Sequence, residues 1–176
     1  YIGIPIDLVL KNDIQRYVNS TGIELHKNFE FLQPKHKSDY LRAYFMHFFG
    51  GGYASVKHYS KSWVNAFKKL KQEENHYIIG YREFSKDSVA KVGGRGQREL
   101  EKHYRLLIGN NSYICKPQTD FTLSWFNDIN TILDGKDFSG EYPLKDGELL
   151  ENVFHPLCLG YFQHILFDES IKSDLK

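Results

Sequence analysis

Asp39 and Arg42 stand three residues apart in a stretch of helical periodicity, so one helix face presents a carboxylate beside a guanidinium. Such a pair can grip a polar ligand, or it can be a local ion pair worth only about 0.2–0.5 kcal/mol. The run Gly50-Gly51-Gly52 follows, where the chain can reverse sharply and let backbone approach a ligand closely. Tyr53-Ala54-Ser55-Val56 then reads as a short strand, presenting its side chains at a sheet edge of the kind that holds ligands in α/β proteins. Further on, Asp146, Glu148 and Glu151 supply carboxylates able to take a proton from a hydroxyl. Glu148 is equally explained as a first-turn residue favoured by a helix dipole. His155 sits before Pro156 in an apolar stretch, which suits either a metal-ligating or phosphate-directed imidazole or a core histidine with one hydrogen bond. The glycine run lacks the Gly-Lys-Ser/Thr ending of a phosphate-binding P-loop and the Gly-x-Gly-x-x-Gly spacing of a dinucleotide fold.

The elements that must position these groups alternate between strand and helix. YIGIPIDLVL at the start reads as a buried first strand, and Asp13 to Val18 as a short helix closed by Asn19-Ser20-Thr21-Gly22. A helix spans Lys37 to Phe49, with Ser38 as N-cap and a core stripe of Leu41, Phe45 and Phe48/Phe49. Ser62 to Lys71 is a second amphipathic helix, Tyr77 to Tyr81 a strand, and Ser85 to Gln97 a loop. Within that loop, Gly93-Gly94-Arg95-Gly96 has the composition of a mobile lid and equally of an inert surface loop. Helix from Arg98 to Leu107, a turn at Asn110-Asn111, a strand at Tyr113-Ile114-Cys115 and a helix from Phe121 to Leu133 complete the clearest pattern. The alternation predicts an α/β layer arrangement in one domain, residues 1–176.

Composition bounds the function. At 176 residues with 41% hydrophobic and 26% charged residues, the chain suits a single globular core. A net charge of +1 gives no general attraction to nucleic acid or a membrane surface. Aromatic content of 15% serves a Tyr/Phe-rich core and also offers faces for stacking sugar or base rings. Two cysteines, Cys115 and Cys158, lack metal-ligand spacing and make no disulfide framework, so buried free thiols are expected. No run of about 18 apolar residues spans a bilayer and no signal peptide opens the chain, which favours a cytoplasmic protein. Tyr1 is not an initiator Met, which fits an excerpt of a longer protein.

The string KSDYLRAYFMHFFGGGYASVK, residues 37–57, resembles the signature of capsular-polysaccharide-type and related glycosyltransferases, bacterial and viral. That signature is a Ser-Asp-x-x-Arg helix, then Gly-Gly-x-Tyr, then Asp-x-Asp or Asp-x-Lys. GNNSYICKPQTDFTLSWFNDINTIL at 109–133 and YPLKDGELLENVFHP at 142–156 resemble two further blocks of the family, so the similarity runs from about 35 to 160. The resemblance implies a GT-A-like three-layer α/β/α sandwich with a mixed central sheet. Its nucleotide-binding half would cover about 1–95 and its acceptor side about 96–176. It implies transfer of a hexosyl or pentosyl unit from a nucleoside diphosphate sugar to a glycan hydroxyl, as in polysaccharide biosynthesis. Asp39, Arg42, Gly51, Gly52, Tyr53, Ser55 and Lys57 would surround the donor. Glu148, matching a glutamate of the family, would be the first-choice base with Asp146 beside it.

Ser55 stands where the family carries its first metal-binding aspartate. Mn²⁺ and Mg²⁺ prefer carboxylate oxygens, and a serine is a poor substitute. Three alternatives follow. Lys57, with His58 or Arg95, neutralises the diphosphate directly; a divalent cation binds weakly through the diphosphate and His155 or a carboxylate elsewhere; or the fold persists as a catalytically silent nucleotide- or glycan-binding module.

Overall fold

The computed structural model describes residues 2–174. Within them, helices α1 (Ile14–Thr21), α2 (Pro34–Phe48), α3 (Val64–Gln72), α4 (Gly94–Lys102), α5 (Asp120–Asp134) and α6 (Glu151–Gly160) alternate with strands β1 (Gly51–Ala54), β2 (Ile78–Arg82), β3 (Ile108–Cys115) and β4 (Ile165–Phe167). The strands form one mixed sheet in the order β1-β3-β2-β4. β3 is antiparallel to both β1 and β2, while β4 runs parallel to β2. The sheet interleaves strands from before residue 95 with strands from after it.

Helices cover both faces of this sheet. Successive strand residues point to opposite sides, and Ile78 and Ile79 accordingly belong to different cores. On one face Ile78, Tyr113 and Cys115 pack with Tyr40, Tyr44, Trp125 and Phe154 of α2, α5 and α6. On the other, Ile79 and Ile114 meet Trp63, Ala66 and Leu70 around α3. Among the described residues no helix is long and apolar enough to cross a membrane.

Local chemistry explains the principal helices. Pro34 occupies the first turn of α2, where its fixed φ suits the helix and its missing N–H costs nothing. α2 therefore starts one turn ahead of the expected Ser38 cap, and Gln33 is the N-cap residue. Its most buried face is Tyr40, Ala43 and Tyr44 rather than Leu41 and Phe45, which are only partly covered. Phe45 and Phe49 instead meet Tyr17 of α1 edge-on, with centroids 5.0 and 5.4 Å away. α5 starts where expected: the Thr119 hydroxyl accepts the Thr122 N–H.

Three expectations are corrected. Residues 2–10 form no strand, and Ile6 and Leu8 are 73% and 78% exposed. A β-branched run needs a neighbour to pair with; here the segment is tied to the body by the Trp63 N–H to Ile2 carbonyl bond and by Ile2 packing beside Trp63, not by a strand partner. The segment Gly94-Arg95-Gly96 is no loop; it is the first turn of α4, with Gln97 Oε1 accepting the Val92 and Gly93 N–H groups. Asn110-Asn111 is not a turn either but lies inside β3, at a bulge where the register against β2 jumps from Gly80↔Tyr113 to Arg82↔Ile108.

Candidate functional site

β1 and β2 are both antiparallel to β3, and β4 is parallel to β2, so β1, β2 and β4 all end at one edge of the sheet. In open α/β sheets this carboxyl edge is where ligands sit. The chain leaves β1 at Ser55 and β2 at Glu83 there, and the β3 bulge brings Asn110 and Asn111 to the same place. Bulges often re-aim side chains beside functional sites.

α2 supplies the charged centre. Arg42 Nη2 lies 3.6 Å from Asp39 Oδ1, its Nη1 donates to the Asn110 carbonyl at 3.4 Å, and its guanidinium rests 4.1 Å from the Tyr53 ring centroid. Tyr53 in turn stacks on Tyr113 at 5.4 Å. Asp39 is 1% exposed; burial raises its pKa while Arg42 works against the rise. Asp39 Oδ2 and Arg42 Nε are buried without a hydrogen-bond partner. Buried polar atoms are nearly always paired, and here two unpaired ones fall within a single ion pair at the carboxyl edge.

Other side chains close the rim. Glu151, the first residue of α6, accepts a 2.8 Å bond from Asn110 Nδ2, and its negative charge is felt at both Asp39 and Glu83. Lys35 contributes positive charge toward Asp39 and Glu151 while bonding Asp146 at 2.9 Å. The Ser55 hydroxyl donates to Asn111 Oδ1 at 3.3 Å, and the Ser55 N–H donates to the Asn111 carbonyl at 2.8 Å.

The remaining expected site residues fall elsewhere. Gly51 and Gly52 open β1, opposite Cys115 and Ile114, and so sit at the other end of that strand from Ser55. Gly50 and Gly51 adopt φ of 66° and 89°, and a Cβ on Gly50 would stand 2.6 Å from Pro117. That close approach gives the glycine run a packing role. Lys57 is exposed, and His58 pairs with Asp174. Asp146 is exposed, with Lys35 holding its carboxyl below the usual range. Glu148 turns toward Lys136 and caps the Lys145 N–H; burial alone would raise its pKa, but these bonds hold it below the ordinary value.

His155 lies within the core at 0% exposure, and burial pushes its pKa down to about 4. Its Nδ1 accepts the Ala90 N–H at 2.9 Å, which leaves the neutral ring's proton on Nε2, 3.9 Å from Glu83 Oε1. Burial lifts Glu83 to about 7. No group of three or more His, Cys, Asp or Glu among the described residues can hold a metal ion. At the carboxyl edge, the Ser55 hydroxyl is engaged with Asn111 and Asp39 is paired with Arg42.

Two hollows lie apart from this chemistry. One of ≈ 440 Å³ is lined by Phe67, Leu70, Ile114 and Pro117 beside Gly51, and one of ≈ 280 Å³ lies between α4 and α6. Both are mainly apolar, whereas the unpaired buried groups of Asp39 and Arg42 belong to the carboxyl edge.

Sequence reading passed over Glu83 and took Asn110-Asn111 for a turn. The available signal was two amides set between Ile108 and the apolar run Tyr113-Ile114-Cys115. Compared with protein-family models, with curated proteins and with solved structures, the chain finds no match.

Proposed function

We propose that this chain is a glycosyltransferase domain of GT-A-like type, moving a sugar from a nucleoside diphosphate sugar to a glycan hydroxyl. The observation that carries the reading is the Asp39–Arg42 pair at the sheet's carboxyl edge, with unpartnered buried atoms on both residues. Arg42 supplies a fixed guanidinium for the charge that grows on the departing diphosphate. Asp39 accepts hydroxyl donors of a ribose or sugar, and Tyr53 keeps the guanidinium oriented by cation–π contact.

A thermal-shift screen with UDP- and GDP-sugars tests this. At least one donor should raise the melting temperature of the wild type, and Asp39→Ala should abolish that shift. No response to any donor, or an unchanged shift in the variant, would remove the nucleotide from this site.

A second reading is a catalytically silent module that binds nucleotide or glycan without turnover. The engaged serine in place of the family's carboxylate favours it. If loss of that carboxylate is what silences the protein, Ser55→Asp should bring Mn²⁺-dependent donor hydrolysis above the wild-type level. No gain with any donor would count against this reading.

A further inference from the structure

We propose that Glu151 and Asn110 form a subsite for adjacent hydroxyls of the donor's sugar; this rests on the nucleotide-sugar reading above. Glu151 Oε1 is bonded to Asn110 Nδ2 at 2.8 Å. Among the described residues, Glu151 Oε2 and Asn110 Oδ1 have no hydrogen-bond partner. A carboxylate oxygen and an amide oxygen held together in this way present two acceptors, which suits a pair of neighbouring hydroxyls. Asn110 also ties the subsite to the charged centre, because its carbonyl accepts from Arg42. The 99%-buried carboxylate of Asp39, with Oδ2 unpartnered, independently calls for a donor at the same place.

The fold sets this carboxylate deliberately. Gly147 has φ +76°, and a Cβ there would stand 2.6 Å from Glu151 Oε2, so any side chain would displace the carboxylate. Glu148 is committed to Lys136 and the Lys145 N–H, while Glu151 faces Asn110.

Calorimetric titration of the wild type, Glu151→Gln and Gly147→Ala with UDP, UDP-glucose, GDP and GDP-mannose is the test, with unfolding midpoints confirming that each variant folds. The wild type should bind at least one nucleotide sugar more tightly than its bare diphosphate. Both variants should lose that increment, about tenfold for a hydrogen bond to a charged group, and bind the bare diphosphate at least as tightly as the wild type does. Retention of the increment in both variants, or no increment in the wild type, overturns the subsite alone. Failure of the wild type to bind any of the four ligands overturns the nucleotide-sugar reading, and the subsite with it.

Discussion

Arg42 neutralises a carboxylate that has almost no contact with water, so removing it should cost far more than its three-residue spacing from Asp39 implies. Stranding a buried charge costs about 3–5 kcal/mol, against a few tenths for an exposed helical pair. Urea unfolding of Arg42→Ala should show a loss of that larger order, and Asp39→Asn added to it should recover part of the loss. Glu83 gives a pH prediction. Its folded pKa of about 7 exceeds the ordinary 4.5, so the fold holds the proton more tightly than the unfolded chain does. That contribution is complete below 4.5 and is lost as pH rises through about 7. Glu83→Gln should flatten the decline and leave the protein more stable than wild type at pH 8 by up to about 3 kcal/mol, since each unit is worth about 1.4 kcal/mol before solvent screening. Equal slopes for the two proteins between pH 4.5 and 7 would contradict it. The Asp39–Arg42 pairing was legible from helical spacing, a local property. The choice among Asp146, Glu148 and Glu151 was not, because it depends on where α6 begins and which way the Gly147 turn aims each carboxylate.

At the scale of elements, the glycine run separates backbone strain from packing. Gly50 and Gly51 share left-handed φ values, but a Cβ on Gly50 meets Pro117 and the Cys115 carbonyl within 2.9 Å, while one on Gly51 meets nothing within 4 Å. Gly51→Ala should therefore cost only the conformational penalty, about 1 kcal/mol, and Gly50→Ala clearly more. Thermal unfolding of the two variants side by side checks the order; equal losses would refute a packing role for Gly50. α2, α3 and α5 were legible because their apolar stripes repeat every three or four residues. The opening run was misread because strand propensity shows a willingness to pair and says nothing about whether a partner exists. Asn110-Asn111 was misread in the opposite sense: residues that usually make turns here form a bulge, held by Ser55, Tyr59, Arg42 and Glu151. Those partners come from distant parts of the chain, so no local window contains them.

For the molecule as a whole, three strands ending together place α2, the β3 bulge and the start of α6 around one polar edge. The α/β class followed from alternation, but the strand order β1-β3-β2-β4 did not. That order brings Asn110 between Arg42 and Glu151, residues 109 positions apart in sequence, and so assembles the candidate site. In the proposed function this edge binds a nucleoside diphosphate sugar through Asp39 and Arg42. Isothermal titration of the wild type and Asp39→Asn with a panel of UDP- and GDP-sugars addresses it most directly. The wild type should bind at least one donor saturably, and an equally folded variant should lose that binding. Absence of binding to the wild type, or undiminished affinity in the variant, would contradict it.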